Sequence, residues 1–209
     1  MAAAASGPTV SVPPLAARIA RRPAAAVFLL LAVSLAGRAT AQDLPEWVID
    51  PGASEVAFDF VLDGKPDGGV FRAFSGSGEF DAAHPEAATL AISIDTASVD
   101  LGNAIVNAFA TSAEGFDSAN HPEAVYRLTG LEPTGGDGYL ARGVVTIKGR
   151  QQALETPITL GIGPNAARAE GRFEVDRTRF GLGVGPFSSL IDLEPMVGVH
   201  FVLNARRVR

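Results

Sequence analysis

The side chains of this chain that could do chemistry are three histidines, a scatter of serines and a few neighbouring carboxylates, and their spacing joins none of them into a constellation. His84 and His121 each precede a proline, which places both in loops, and His200 stands on the outward parity of the last extended run. No two histidines fall at i, i+2 or i, i+4 beside a carboxylate, the spacing that would put metal ligands on one face. Ser54, Ser75, Ser77, Ser112, Ser188 and Ser189 occupy no G-x-S-x-G elbow, and Gly76-Ser77-Gly78 lies within an extended run. Gly181 to Gly185 (GLGVG) superficially resembles a phosphate-binding loop, but no good helix follows to present its amides. Asp192 and Glu194 read as solvated turn residues. With no cysteine there is no thiolate ligand, thiol nucleophile or disulfide. The expectation is a protein without catalysis, metal or cofactor.

Phenylalanine is what the chain has in surplus. Eleven of the 12 Phe follow residue 41, against one Trp and two Tyr. Phe supplies apolar area without a polar handle. For any single Phe a filled core is the simpler reading. Phe109, Phe116 and the Phe180 to Phe187 segment lie outside the strands, however, and together suggest the mouth of an apolar pocket.

The elements that would position these rings are strands. Val56, Phe58, Phe60 and Leu62 alternate with Glu55, Ala57, Asp59 and Val61, the period of a strand with one buried face. A turn is expected over Gly64 to Gly69, then a second extended run from Val70 to Phe80, bent or bulged at Gly76 and Gly78. Alternation continues through Leu90, Ile92 and Ile94, through Tyr139 to Lys148, and through Leu154 to Ile162. It recurs in Ala167 to Val175 and in Val197 to Ala205. Many strands broken by regular turns argue for an antiparallel sandwich or barrel, and long strands with internal glycines favour the barrel. Asn103 to Glu114 breaks the rhythm. Ile105, Ala108, Phe109 and Ser112 fall at helical spacing, with Asn103 as cap, so a short helix covering one end of the barrel is expected.

Residues 1–41 read as an export signal. Arg18, Arg21 and Arg22 precede the apolar run Ala24 to Ala36, and Ala39-Thr40-Ala41 supplies an A-x-A cleavage site. The run is short of the ~20 residues of a membrane span. Residues 42–209 then form one domain. All 23 acidic residues follow the cut while four of the 17 basic ones precede it, so the domain carries a net charge of −10. That excludes nucleic acid as a partner and gives no electrostatic attraction to an anionic membrane.

Several stretches, in order along the chain, resemble the YceI-like family of exported lipid-binding proteins. They are Trp47-Val48-Ile49-Asp50 with Ser54, Gly69-Val70-Phe71 through Phe74-Ser75-Gly76 to Phe80-Asp81, and Ile92-Ser93-Ile94-Asp95 with Ala97-Ser98-Val99. Gly115-Phe116-Asp117 with His121-Pro122 follows. Gly143 to Gly149 is similar to the family's G-x-L-T-I-x-G strand and Thr156-Pro157-Ile158 to its T-x-P-V. Asp176 to Gly183 is similar to its R-x-x-F-G-x-G signature. The resemblance implies an all-β fold, an eight-stranded antiparallel lipocalin-like barrel. It implies a periplasmic protein whose elongated cavity takes an isoprenoid lipid or quinone, for transport or storage. It also brings a membrane cytochrome b into view as a partner, and a homodimer is the oligomer to test. The chain departs from the pattern twice. Ala53 stands where many members have His, and Val106-Asn107-Ala108-Phe109-Ala110 stands where many have Arg-Asp-x-His-Leu.

By parity or position the expected cavity lining is Phe58, Phe60, Phe74, Phe80, Phe109, Phe116, Leu160, Phe173, Phe180 and Phe201. Arg177 is expected to form a structural ion pair closing the barrel. The rival reading is an exported interaction protein with a filled core, acting through its acidic surface on a membrane redox partner.

Overall fold

The computed structural model describes residues 44–209. The expected export signal at 1–41 lies outside the described residues.

Eleven strand segments form one continuous antiparallel sheet closed on itself. They are β1 (Glu46–Ile49), β2 (Glu55–Leu62), β3 (Lys65–Phe71), β4 (Phe74–Glu79), β5 (Thr89–Asp95), β6 (Val99–Asp100), β7 (Glu123–Gly135), β8 (Gly138–Ile147), β9 (Arg150–Ile162), β10 (Ala166–Asp176) and β11 (Met196–Arg207). The first six are three long strands, each broken once. A 3₁₀ turn at Pro51–Ala53 divides β1 from β2, Arg72 and Ala73 divide β3 from β4, and a 3₁₀ turn at Thr96–Ser98 divides β5 from β6. On both sides of the breaks the same neighbours pair: β1 with β4 and β2 with β3, β4 with β5 and β3 with β6. With each broken strand counted once, eight strands run up and down in sequence order. The last closes on the first, Trp47 to Ile49 pairing with Arg207 to Ala205. The barrel expected from the resemblance is therefore the fold.

The three breaks lie side by side in neighbouring strands; the second and third are laced together, and the first is tied to β11. The Arg72 amide donates to the Ser98 carbonyl (3.1 Å), the Asp95 amide to the Ala73 carbonyl (3.0 Å), and the Ser98 hydroxyl to Ala73 as well (3.2 Å). The Ser54 hydroxyl donates to the Asp50 carbonyl (2.6 Å) and accepts from the Asn204 amide (2.8 Å). A crease of this kind lets one side of the barrel curve more sharply than unbroken strands would allow. Ile49, Val56, Phe74, Ile92 and Leu203 form a buried apolar cluster along it.

Two details of the first hairpin differ from expectation. The turn is only Asp63-Gly64, both at positive φ (50° and 70°), the two-residue geometry that matches strand twist. Pro66 to Gly69, expected as loop, belong to β3. Gly76 and Gly78 sit in unbroken register with β5, so no bulge occurs there. What Gly78 permits is close approach: a Cβ on it would fall 2.1 Å from the Thr89 carbonyl oxygen.

One helix, α1 (Ala104–Thr111), interrupts the strands as expected, with the Asn103 side chain accepting from the Ile105 amide (2.9 Å). Asn107 fixes it to β6, its carbonyl accepting from the Leu101 amide (2.7 Å) and its amide donating to Asp100 (3.4 Å). Of the positions read at helical spacing, Phe109 faces the cavity and Ile105 does not. Val106, Phe109 and Ala110 turn to the interior, and Ile105 is exposed. A single turn, α2 (Arg177–Phe180), follows β10 and ends on left-handed Gly181.

Candidate functional site

The inside of the barrel is not filled. A cavity of about 390 Å³ runs along it, walled from Trp47, Phe80 and Ile162 at one end to Phe60, Leu62, Val106 and Ile191 at the other. The alternation seen in the sequence builds this wall directly. Val56, Phe58, Phe60 and Leu62 of β2 face in, as do Leu154 through Ile162 of β9 at every second position. Ala167, Ala169, Phe173 and Val175 of β10 and Val197 through Ala205 of β11 do the same. An interior of this kind departs from the filled core of the rival reading.

Eight of the ten expected lining residues stand on the wall: Phe58, Phe60, Phe80, Phe109, Phe116, Leu160, Phe173 and Phe201. The structure groups them further. Phe60, Phe58, Phe71 and Phe116 make a continuous run of ring contacts at centroid separations of 6.1, 5.4 and 5.5 Å, carrying β2 and β3 into the loop after α1. Phe173 and Phe201 contact each other across β10 and β11 at 6.4 Å. The other two are corrections. Phe74 has the inward parity but is packed into the cluster at the crease and does not reach the cavity. Phe180 is on α2, where strand parity no longer applies, and at 1% exposure it is enclosed by protein.

Polar atoms on the wall are few. Tyr126, which the sequence reading did not single out, places its ring over Gly143, and burial pushes its phenol up to about 12. It is therefore a neutral hydroxyl at any ordinary pH. Thr156 is buried, and its Oγ1 has no hydrogen-bond partner among the described residues. Thr89 and Arg177 complete the polar set. Among the described residues no charged pair and no histidine lines the cavity. His200 lies on the outer surface, 3.6 Å from an Asp59 carboxylate that also binds Arg172 at 2.9 Å. Among the described residues no three His, Asp or Glu side chains come together as a metal site.

Arg177 works differently from the expected ion pair. Its guanidinium donates to carbonyls, those of Glu194 (2.8 Å), Leu182 (2.7 Å), Gly183 (2.8 Å) and Leu193. It therefore gathers the two ends of the 182–194 segment under the barrel end. Planar, multidentate donation suits arginine, and a partner carboxylate is not needed when four carbonyl dipoles converge. Desolvation holds the Arg177 pKa below its usual value. Glu114, just beyond α1, anchors the middle of the same segment. Its carboxylate accepts from the amides of Phe187 (3.1 Å) and Ser188 (2.8 Å) and from the Ser188 hydroxyl (2.6 Å), while its carbonyl accepts from Gly183 (2.7 Å). The Ser188 hydroxyl above all keeps the Glu114 carboxyl below its ordinary value. Lys148 joins both neighbours, donating to the carbonyls of Ala113 (2.9 Å) and Gly181 (3.1 Å). Together α1 and the 181–193 segment form a cover over this end.

Known proteins share this architecture. The profile of the YceI-like domain matches residues 47–205. A UPF0312 protein of Azotobacter vinelandii is 31% identical over 184 residues, covering 81% of this chain and 92% of that protein. The YceI protein of an Escherichia coli strain is 28% identical over 137 residues, covering 60% of this chain and 69% of its own length. Among solved structures, BcnA of Burkholderia cenocepacia superposes with a TM-score of 0.70 at 27% identity, covering 75% of this chain and 98% of BcnA. A polyisoprenoid-binding domain of Saccharophagus degradans superposes with a TM-score of 0.64 at 16% identity, over 77% of this chain and 98% of that domain, a likeness of fold.

Proposed function

The chain belongs to the YceI-like domain family, and on that premise we propose that it binds a long apolar lipid, an isoprenoid chain or prenyl quinone, inside its barrel. It acts by binding, without turnover, as a carrier or store in the periplasm, exported by residues 1–41.

The observation that carries this reading is the cavity itself. It is continuous from one end of the barrel to the other, and its wall is aliphatic and aromatic except at Thr89, Tyr126, Thr156 and Arg177. Burying apolar surface is worth roughly 25 cal/mol per Å² before ordering costs, so a chain of many CH₂ and CH₃ groups gains most of its affinity from such a wall alone. The polyisoprenoid binding of the Saccharophagus degradans domain, which shares the fold, agrees with that ligand class.

The test is the native ligand. Protein exported by its own signal, purified without detergent and extracted with organic solvent, is expected to yield a prenyl lipid by mass spectrometry at near-stoichiometric amount. Protein that comes out empty and takes up no long-chain quinone in titration would overturn the reading.

A further inference from the structure

The two ends of the barrel are not alike. Of the nine large apolar residues that stand exposed among the described residues, seven lie at the end covered by α1 and the segment after α2. Ile105 is 81% exposed, Phe187 71%, Leu190 80% and Val184 55%, and none of these four lines the cavity. Three of them are chain neighbours of residues that do: Val106, Gly183 and Ile191 are on the wall, beside Ile105, Val184 and Leu190, and Val106 and Ile191 are themselves partly exposed. Apolar surface therefore continues from the outside of this end onto the cavity wall. The opposite end exposes Ile162 and Val208 among charged groups, Glu46, Glu79, Asp81 and Arg209.

The exposed side chains are held outward by built structure. Glu114 binds the amides of Phe187 and Ser188, and Arg177 binds the carbonyls on either side of the segment. Patches of this sort on a soluble protein mark a surface that meets another apolar phase. Resting on the lipid-binding reading above, we infer that this end of the barrel docks on a lipid bilayer, with Phe187 and Leu190 entering its interface.

Two considerations favour a bilayer over a second copy of the chain. A prenyl lipid is insoluble in water, and this end offers an unbroken apolar path from outside to the cavity wall. Two copies joined collar to collar would close that path. Charges nearby are mixed, Lys65 and Arg179 against Asp63, Asp192 and Glu194, so the contact is apolar rather than a response to anionic lipid.

Flotation of residues 42–209 with vesicles tests this. The protein is expected to float equally with phosphatidylcholine alone and with added phosphatidylglycerol, and to stay bound in high salt. Phe187→Ser combined with Leu190→Ser should lower the bound fraction about tenfold. Both side chains are exposed, so the melting curve and the uptake of a two-isoprene quinone added from ethanol should not change. Wild-type protein that fails to float, or a double variant that floats like it, overturns the inference. So does a wild-type dimer that the double variant makes monomeric, since the collar would then belong to a second copy. Flotation without quinone uptake would support the docking and remove the lipid-binding reading, so the two fail separately.

Discussion

Phe58 and Phe173 are both opposite Val199, one on β2 and one on β10, so they stand at one level of the barrel on either side of β11. Both face the cavity. Replacing the pair by tryptophan distinguishes a hollow interior from a packed one. In a close-packed core each enlargement costs about 1–3 kcal/mol, and two would cost about 2–6. For a domain of this size each kcal/mol moves Tm by about 2–4 °C, so a packed interior would lose roughly 4–24 °C. With about 390 Å³ of space beside both rings, the expected change in Tm is within about 2 °C. The cost should appear in binding. If the two indoles displace one five-carbon unit, about 0.8 kcal/mol per buried carbon removes up to about 4 kcal/mol, roughly a thousandfold in Kd. Circular dichroism melts and the prenyl lipid content of purified protein measure both quantities on the same preparation. A large fall in Tm with unchanged lipid content would refute the reasoning, because it would mean the interior is closed and the ligand lies elsewhere.

Tyr126 should resist ionisation. In a Tyr139→Phe variant the absorbance change of the remaining tyrosinate is expected near pH 12, and a midpoint near 10 would place the ring in water. Because the folded value is raised, stability is full below the ordinary tyrosine value and is lost as pH rises from about 10 towards 12, a loss that Tyr126→Phe should abolish. Arg177→Lys keeps the charge but cannot reach four carbonyls, and is expected to destabilise by about 2 kcal/mol in denaturant melts; an unchanged midpoint would count against the carbonyl clasp. Glu114 has a lowered folded value, so its contribution is present above the ordinary carboxylate range and lost as pH falls through that lowered value. Hydrogen-exchange protection at the Phe187 and Ser188 amides, corrected for intrinsic rates, should therefore drop in acid and be low at all pH in Glu114→Ala. Gly185→Ala should act alike, since its Cβ would fall 2.4 Å from the Glu114 carboxyl carbon and push the side chain off the amides; wild-type protection in that variant would refute the anchor.

The strands were legible wherever one face is buried and one is wet, because period 2 is then imposed on every residue. β9, β10 and β11 are the clearest cases, and their expected inward rows line the cavity at every position but Gly171. β7 was not read, and the reason is local. Ala124, Tyr126 and Leu128 face in, then the register with β8 slips between Leu128 and Gly130, so Leu131 faces in at the opposite parity. One extra residue hides both the strand and Tyr126 from a strict alternation. The breaks in the second and third strands were equally hidden, being made by ordinary residues such as Arg72 and Ala73 whose role is set by neighbouring strands, whereas Pro51-Gly52 marks the first. Phe180 was misplaced because the whole Phe180 to Phe187 segment was read as a pocket mouth, whereas the turn of α2 packs Phe180 into the protein. Arg177 was misread because a lone arginine in a signature suggests a carboxylate, whereas carbonyls carry no mark in the sequence. The cavity itself was legible only in aggregate: no single phenylalanine distinguishes a wall from a core.

The two departures from the family pattern carry different weight once each position has a place in the fold. Ala53 lies in the exposed 3₁₀ turn outside the barrel, where its carbonyl accepts from the Asn204 side chain. Nothing at that position faces the cavity, so the absence of a histidine there leaves the wall as it would otherwise be. The second departure is on α1, and there the positions are on the wall. Val106 and Phe109 stand where many members have arginine and histidine, and both line the cavity beneath the cover. Asn107, between them, faces β6 and holds the helix in place. A charged pair on α1 would put two hydrogen-bonding groups at this end of the hollow; this chain puts aliphatic and aromatic carbon there instead. On the lipid-binding reading, α1 therefore offers nothing to a head group. Selection falls to the length and girth of the hollow and to the few polar groups on its wall, Thr89, Tyr126, Thr156 and Arg177, while the change that strips polarity from the inside of α1 is continuous with the apolar collar on its outside.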